Sequence, residues 1–147
     1  MKKKVFSVAL TCGLLVLISA ASAYAQMPGT AVRASIPFDF SVRGKILPAG
    51  VYEIRRINDG PDGLVISSLN NRHERTVFET EPVGTNRTPN RGEIIFHRYG
   101  DSYFMAEIFA GDGEMGRELR PSRRERTLRH EMARNQTEPE TVSLAVY

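Results

Sequence analysis

One stretch of the sequence, EIIFHRYGDSYFMAEIFA at residues 93–110, decides the fold class. Apolar and polar side chains alternate on both sides of a polar loop at residues 100–102, which is the pattern of an antiparallel β-hairpin. That loop predicts three facing pairs across the hairpin: Ile94 with Ile108, Phe96 with Ala106, and Tyr99 with Tyr103. In this register the apolar side chains share one face, which we expect to lie in the core.

The second face of this hairpin is half polar and rich in aromatic rings. It consists of Ile95, His97, Tyr99, Tyr103, Met105 and Glu107. Exposed aromatic rings beside polar groups favour recognition, because they offer contact area and lose little side-chain entropy. The sequence therefore predicts a ligand-binding surface here, with the candidate residues His97, Tyr99, Tyr103, Met105 and Glu107. The alternative is a face that packs on a second sheet and holds His97 in a hydrogen bond.

Period-two alternation continues on the N-terminal side as far as Val32, and turn clusters interrupt it. Short alternating runs separated by turns are typical of antiparallel all-β proteins. Between Ile36 and Val42 the apolar side chains point one way, and Pro37 marks an edge strand or a bulge. We predict an all-β fold, an antiparallel sandwich or open barrel of about seven strands with a C-terminal helix. The β domain would cover residues 26–120.

A helix is predicted within residues 121–135. Ser122 and Glu125 form a capping box, so the helix should begin at Arg123 and end near Arg134. Leu128 and Met132 lie four residues apart and form a thin apolar stripe that could dock on the sheet. The polar tail at residues 136–147 ends in a segment of strand composition, Val142 to Tyr147, which could return and pair with an exposed edge.

Arginine dominates the composition after Gly116. The arginines of this segment are Arg117, Arg120, Arg123, Arg124, Arg126, Arg129 and Arg134. One interpretation is an anion-binding helix that holds an anionic polymer through Arg123, Arg126 and Arg129. The other, which we favour from the sequence, is a solvated helix whose arginines form i,i+4 ion pairs with interleaved glutamates.

The first 25 residues have the three parts of a bacterial signal peptide. Lys2 to Lys4 form the positive region, Val5 to Ala21 form the apolar run, and Ala23-Tyr24-Ala25 forms a cleavage site before Gln26. We therefore expect an exported protein, periplasmic or extracellular. Once residues 1–25 are removed, we expect no stable membrane span.

Removal of the signal peptide balances the charge and takes away the single cysteine. The whole chain has 20 Lys+Arg and 17 Asp+Glu, and three of the basic residues but no acidic residue lie in residues 1–25, which leaves 17 of each. The composition therefore does not favour nucleic acid as a partner, and an envelope protein or polysaccharide fits the predicted address better. Cys12 lies in the apolar run, so the mature chain would contain no cysteine. Lipid attachment at Cys12 and an uncleaved anchor are the alternatives.

The reactive side chains do not form a recognisable catalytic motif. His73, His97 and His130 lack the spacings of zinc sites, so we expect no metal and no cofactor. One enzymatic alternative is a carboxylate-dependent hydrolase, because glycosidases need only two such groups in a cleft. The carboxylates expected near one end of the hairpin are Asp101, Glu107, Asp112 and Glu114. We nevertheless expect a protein that is not an enzyme.

Three segments of the mature chain carry a family resemblance. Residues 36–52 contain Leu47-Pro48-Ala49-Gly50 followed by Tyr52, and the other two segments are residues 96–100 and the arginine-rich residues 116–125. Together they resemble a family of uncharacterised small exported bacterial β-proteins, over nearly the whole mature chain. The resemblance implies an exported β domain and carries no catalytic or binding residue to this chain. We therefore interpret the protein as an exported, non-catalytic β-domain with a binding or structural role in the cell envelope.

Overall fold

The computed structural model describes residues 31–57, 62–84, 91–111 and 116–147, which form two β-sheets and one helix. In chain order the elements are β1 (Val32–Ile36), β2 (Phe40–Val42), β3 (Lys45–Leu47), β4 (Gly50–Arg56), β5 (Gly63–Ser68), β6 (Arg75–Glu79), β7 (Glu81–Val83), β8 (Glu93–Tyr99), β9 (Ser102–Phe109), β10 (Gly116–Glu118), α1 (Arg123–Arg134) and β11 (Glu140–Ala145). The predicted signal peptide at residues 1–25 lies outside the described residues.

The sheets contain four and seven strands. The four-stranded sheet has the order β1-β4-β5-β6, and the seven-stranded sheet has the order β11-β8-β9-β10-β7 with β2 beside β9 and β3 beside β2. β2 runs parallel to β9, whereas the other strand pairs are antiparallel. The predicted all-β fold with a C-terminal helix is confirmed. The described part of the chain holds 11 strands, more than the seven or so expected.

At two places the chain passes from one sheet to the other within a run of alternating residues. The first is at Pro37, so that β1 lies in the four-stranded sheet and β2 in the seven-stranded one. Proline has no N–H to donate and is tolerated only at strand ends, edges and bulges. The second is at Thr80, whose amide and hydroxyl both donate to the Asp62 carbonyl, at 2.8 and 3.1 Å. Because period-two alternation persists through each crossover, the pattern alone does not show the change of sheet.

The core lies between the two sheets and receives side chains from both. Its largest fully buried members are Tyr52, Phe40, Phe96, Ile36, Leu47, Ile66, Ile94 and Val42. The rings of Phe38 and Phe40 meet the ring of Phe96 edge-on, with centroids 5.3 and 5.6 Å away. Such edge-to-face contacts add to the free energy gained by burying the rings. Phe96 is therefore the centre of an aromatic cluster that joins β2 to β8.

The Leu-Pro-Ala-Gly-x-Tyr element has a structural role in this fold. The Tyr52 hydroxyl donates to the Pro48 carbonyl at 2.7 Å, which ties the buried ring to the turn that precedes it. Burial, reinforced by the nearby carboxylate of Glu74, raises the pKa of Tyr52 to about 12. On the other side of the turn, the Ala49 amide donates to Asp39 Oδ1 at 2.9 Å. The element thus fixes the turn between β3 and β4 by hydrogen bonds.

The hairpin of β8 and β9 contains a β-bulge that changes the predicted register. Ile94 lies opposite Ile108 as predicted, but the ladder shifts before Phe96, which lies opposite Met105. Ala106 is left as the additional residue of the bulge. A bulge places two residues of one strand against one of its partner, so residues beyond it point to the other side of the sheet.

The same shift shortens the hairpin loop from three residues to two. Tyr99 pairs with Ser102 instead of Tyr103, which leaves residues 100–101 as the turn. Gly100 has a φ of +61°, and a two-residue hairpin turn requires a positive φ at its first position. The predicted pairings of Tyr99 with Tyr103 and of Phe96 with Ala106 are therefore wrong.

The C-terminal segment joins the two sheets. β11 pairs with the edge of β8 in an antiparallel register that includes Val142 opposite Phe96. Beyond β11, the amide and carbonyl of Tyr147 exchange hydrogen bonds with Arg33 of β1, at 2.9 and 3.1 Å. The tail predicted at residues 136–147 thus contains a returning strand, and its last residue contacts the edge of the four-stranded sheet.

The helix α1 begins and ends where the capping signals predict. The Ser122 hydroxyl accepts from the Glu125 amide, and the Glu125 carboxylate accepts from the Ser122 amide, as in a capping box. Leu128 and Met132 are the least exposed apolar residues of the helix, and each is half-buried. No helix within the described residues is long and apolar enough to cross a membrane.

Candidate functional site

The five candidate ligand-binding residues do not share one face of the sheet. Met105 is 3% exposed and belongs to the core, and Tyr103 packs against that core. His97, Tyr99 and Glu107 lie on the outer side of the seven-stranded sheet. The cause is the bulge at Ala106, which turns the preceding residues of β9 inward. The prediction of one exposed aromatic face is therefore wrong.

The helix α1 covers the outer side of the sheet at these residues. His97 Nδ1 lies 3.3 Å from Glu125 Oε1, and Arg129 Nε donates to the Tyr99 hydroxyl at 3.4 Å. Tyr99 is 5% exposed and Glu125 is 4% exposed. This face is therefore a packing face. The element that packs on it is a helix and not the second sheet of the sequence-based alternative. His97 has the hydrogen-bond partner that this alternative requires.

Glu107 lies half-buried on the same outer side. Burial raises the pKa of its carboxyl group, and the negative charge of Glu118 raises it further, whereas His97 lowers it. Glu118 is directly opposite Glu107 in the ladder of β9 and β10. A like charge that faces Glu107 across the sheet destabilises its charged form. Burial and this facing charge together explain the raised pKa of Glu107.

Of the four carboxylates considered for a hydrolase, the two in the described residues, Asp101 and Glu107, do not converge. Asp101 lies in the hairpin turn and Glu107 lies six residues further along β9, which separates them by about 20 Å at the rise of a β-strand. Glycosidases hold their two carboxylates about 5 to 9.5 Å apart. Asp112 and Glu114 lie outside the described residues. Within the described ranges, no group of three His, Cys, Asp or Glu side chains is placed to hold a metal ion.

A second surface brings arginines together from two distant parts of the chain. A cleft of about 430 Å³ opens between the β2–β3 turn and the N-terminus of α1. We call it the arginine cleft, and its lining residues are Arg43, Gly44, Pro121, Ser122, Arg123, Arg124 and Arg126. Two of the three predicted anion-binding residues, Arg123 and Arg126, therefore lie in it. The third, Arg129, points to the sheet and contacts Tyr99.

The side-chain hydrogen bonds of the cleft arginines go to backbone carbonyls, although carboxylates line the neighbouring cavities. Arg43 donates to the Arg120 carbonyl at 3.1 Å, and Arg126 donates to the Pro121 carbonyl at 2.7 Å. None of the four arginines forms an ion pair with a carboxylate in the part of the chain that the structure describes. The expected i,i+4 ion pairs along α1 are likewise absent among residues 123–134, because Glu125 is buried against His97 instead.

Arg43 is placed in the cleft by an unfavourable backbone conformation. The β2–β3 hairpin has a two-residue turn in which Arg43 has a φ of +52° and Gly44 a φ of +96°. A turn with positive φ at both positions favours Asn-Gly or Asp-Gly. A left-handed conformation costs other residues about 1 to 2 kcal/mol. Sequence reasoning missed Arg43, and the signal that could have found it is the Arg-Gly pair between two apolar runs.

The positions of Arg123 and Arg124 are also unfavourable for the helix itself. They are the first two residues of α1, directly after the N-cap Ser122. The N-terminus of a helix carries a partial positive charge, so a cation there costs about 0.3 to 1 kcal/mol and an anion is stabilised. Three of the four cleft arginines, Arg43, Arg123 and Arg124, thus occupy positions where an arginine lowers the stability of the turn or of the helix. A bound anion would be attracted by all four guanidinium groups.

In comparisons with family models, curated proteins and solved structures, no match to this chain was found.

Proposed function

We propose that this protein is a non-catalytic binding protein of the cell envelope that holds an anionic polymer in the arginine cleft. The observation that carries the proposal is the convergence of four arginines, from the β2–β3 turn and the start of α1, without a carboxylate partner in the described residues. The proposal moves the binding surface from the aromatic face to the helix, because α1 occupies that face.

The chemistry of the cleft suits anionic oxygens. A guanidinium group is planar, stays charged and presents parallel N–H groups that match two oxygens of a phosphate, sulfate or carboxylate. An exposed ion pair contributes only about 0.2 to 1 kcal/mol, so a single small anion would bind weakly. A polymer supplies several charges at once and releases its condensed counterions on binding. The open cleft therefore favours a polymer over a free anion.

The proposed location in the cell envelope rests on the sequence. The positive start, the apolar run and the Ala-x-Ala site of residues 1–25 support export and cleavage before Gln26. The intact mass of the exported protein tests this processing, and a mass that includes residues before Tyr24 would contradict it. Anionic polymers are components of bacterial envelopes, so the proposed location and the arginine cleft favour the same class of ligand.

Replacement of Arg123 by alanine tests the cleft. With inorganic polyphosphate as the probe, we expect about fivefold weaker binding at low salt, the equivalent of one exposed ion pair. The slope of log affinity against log salt concentration should fall by about 0.7 to 0.9, because one counterion fewer is released. Titration calorimetry at several salt concentrations measures both quantities.

The matched control is Arg134→Ala, at the far end of the same helix and outside the cleft. It removes the same charge, and we expect less than half the loss that Arg123→Ala causes. Equal losses from the two variants would show that the probe senses net charge and not the cleft. Binding that is unaffected by Arg123→Ala would overturn the proposed function.

Replacement of Arg43 by asparagine should have two opposite effects, a gain in stability and a loss of binding. We expect Arg43→Asn to raise the free energy of unfolding by about 0.5 to 1 kcal/mol, because asparagine tolerates a positive φ. The same variant should weaken polyphosphate binding severalfold by removing a cleft charge. Chemical denaturation and calorimetry measure the two effects. The control Arg43→Lys keeps the charge and should show no gain in stability, and a destabilised Arg43→Asn would contradict the argument.

A further inference from the structure

A second, smaller pocket adjoins the arginine cleft. It has a volume of about 230 Å³ and lies between the β2–β3 hairpin and the tip of the β8–β9 hairpin. We call it the aspartate pocket, and its lining includes Asp39, Ser41, Gly44, Ile46, Asp101 and Arg124. Gly44 and Arg124 line the arginine cleft as well. The two cavities therefore meet at these residues, and a bound chain could pass from one into the other.

The aspartate pocket holds two carboxylates beside the guanidinium group of Arg124, whereas the arginine cleft is lined by four guanidinium groups and no carboxylate. Asp39 accepts one hydrogen bond from the Ala49 amide, and Asp101 has no side-chain partner in the part of the chain that the structure describes. Anionic groups of a ligand are repelled by these carboxylates. Hydroxyl groups are favoured, because a carboxylate accepts hydrogen bonds and donates none when it is charged.

Ser41 gives an independent sign that this pocket accepts a polar ligand. The residue is 8% exposed and lies in the pocket wall, on the short strand β2. Its hydroxyl has no hydrogen-bond partner among the described residues. No buried side-chain polar atom in the described residues lacks a partner, so the unpaired Ser41 hydroxyl stays accessible at the pocket wall, where a ligand group can reach it. A ligand hydroxyl can both donate to and accept from Ser41.

The apolar part of the pocket fits a carbon chain that carries hydroxyls. Ile46 is 62% exposed and is one of the few large apolar side chains that the fold leaves in solvent. It lies in the same pocket as the two carboxylates. A polyol or sugar unit presents C–H groups and O–H groups together, so that it can contact Ile46 and donate hydrogen bonds in one position.

We infer that the ligand of this site is a polymer in which phosphate groups alternate with hydroxylated carbon units, with a phosphate in the arginine cleft and the next polyol unit in the aspartate pocket. This inference rests on the proposed function and specifies its ligand. A uniformly charged polyanion matches the arginine cleft only. An alternating polymer matches the change of charge from one cavity to the other across Gly44 and Arg124.

Two probes separate the inference from the proposed function. Inorganic polyphosphate carries charge without hydroxyls, and poly(glycerol phosphate) carries both. We expect Asp101→Asn to weaken poly(glycerol phosphate) binding about fivefold, since a charge-assisted hydrogen bond becomes a neutral one. The same variant should leave polyphosphate binding unchanged or stronger. We expect Ser41→Ala to act in the same direction, with a smaller effect, and circular dichroism checks that both variants fold.

The control for net charge is Glu131→Gln, an exposed carboxylate of α1 that lines neither cavity. It should shift the binding of both probes equally. If Asp101→Asn strengthened the binding of both probes to the same extent, the aspartates would only repel and the inference would be overturned. The proposed function would survive that result, because it depends on the loss of polyphosphate binding in Arg123→Ala.

Discussion

Replacement of Phe96 by alanine is expected to lower the free energy of unfolding by about 3 to 5 kcal/mol, the range for large aromatic truncations in a core. The side chain is 0% exposed, and its ring contacts Phe38 and Phe40 edge-on. Because Phe38 and Phe40 follow the crossover at Pro37, this cluster joins β2 to the central hairpin. Truncation would leave a cavity beside Phe38 and Phe40, and the structure around such a cavity relaxes only in part. Urea or guanidinium denaturation measures the change.

Val77 provides the control for this prediction. It lies in β6 and is 58% exposed, so Val77→Ala removes only strand propensity and little packing, with an expected cost below about 1 kcal/mol. If the slope of the free energy of unfolding against denaturant concentration is the same in both variants as in the unchanged protein, only the stability has changed. Equal costs for Phe96→Ala and Val77→Ala would contradict the placement of Phe96 at the centre of the core.

The alternating pattern predicts the fold class because it depends only on which side of a strand each residue faces. The pairing of Ile94 with Ile108 is confirmed for this reason, since both lie before the bulge. Beyond it the prediction is wrong, because Ala106 is small enough for either side of the sheet and nothing in the pattern marks it as the additional residue. The crossover at Thr80 has no signal in the pattern either, whereas Pro37 indicates an edge strand or a bulge but not the change of sheet.

The candidate site could be predicted only where it depends on neighbouring residues. The capping box of Ser122 and Glu125 is local, so the position of α1 is confirmed. Arg43 contacts the segment before the helix across 77 residues of sequence, through its hydrogen bond to the Arg120 carbonyl. The expected ion pairs fail for a tertiary reason as well, because Glu125 has its carboxylate buried against the sheet. Long-range contacts of this kind have no periodic signature.

The unfavourable positions of the cleft arginines suggest why local reasoning fails at this place in particular. Where helix and strand propensity, capping and turn chemistry agree with the fold, the structure of a segment can be predicted from its own residues. Arg43 in a left-handed turn and Arg123 at a helix N-terminus contradict those preferences. Residues that oppose local stability are concentrated at functional sites. The disagreement between local preference and structure thus supports the same surface that the convergence of the four arginines indicates.

Replacement of Glu125 by alanine is the second change for which we expect a large effect, a loss of about 2 to 4 kcal/mol in the free energy of unfolding. The side chain has two roles, and each contributes separately. It accepts from the Ser122 amide in the capping box of α1 at 3.4 Å, and a hydrogen bond contributes about 0.5 to 1.5 kcal/mol net. It also contacts His97 of β8 at 3.3 Å, and a hydrogen bond to a charged group contributes about 1.5 to 3 kcal/mol.

Glu131→Ala on the same helix provides the control, because Glu131 is exposed and we expect its replacement to cost less than about 0.5 kcal/mol. The double variant of Glu125 and His97 separates the two roles of Glu125. If the contact holds α1 on the sheet, the losses from Glu125→Ala and His97→Ala should add to more than the loss in the double variant. Strict additivity, or a Glu125→Ala variant as stable as Glu131→Ala, would show that the helix is held by other contacts. Three of the four cleft arginines lie on α1 and Arg43 lies on the β2–β3 turn, so the attachment of the helix through Glu125 also contributes to holding Arg43 beside the other three.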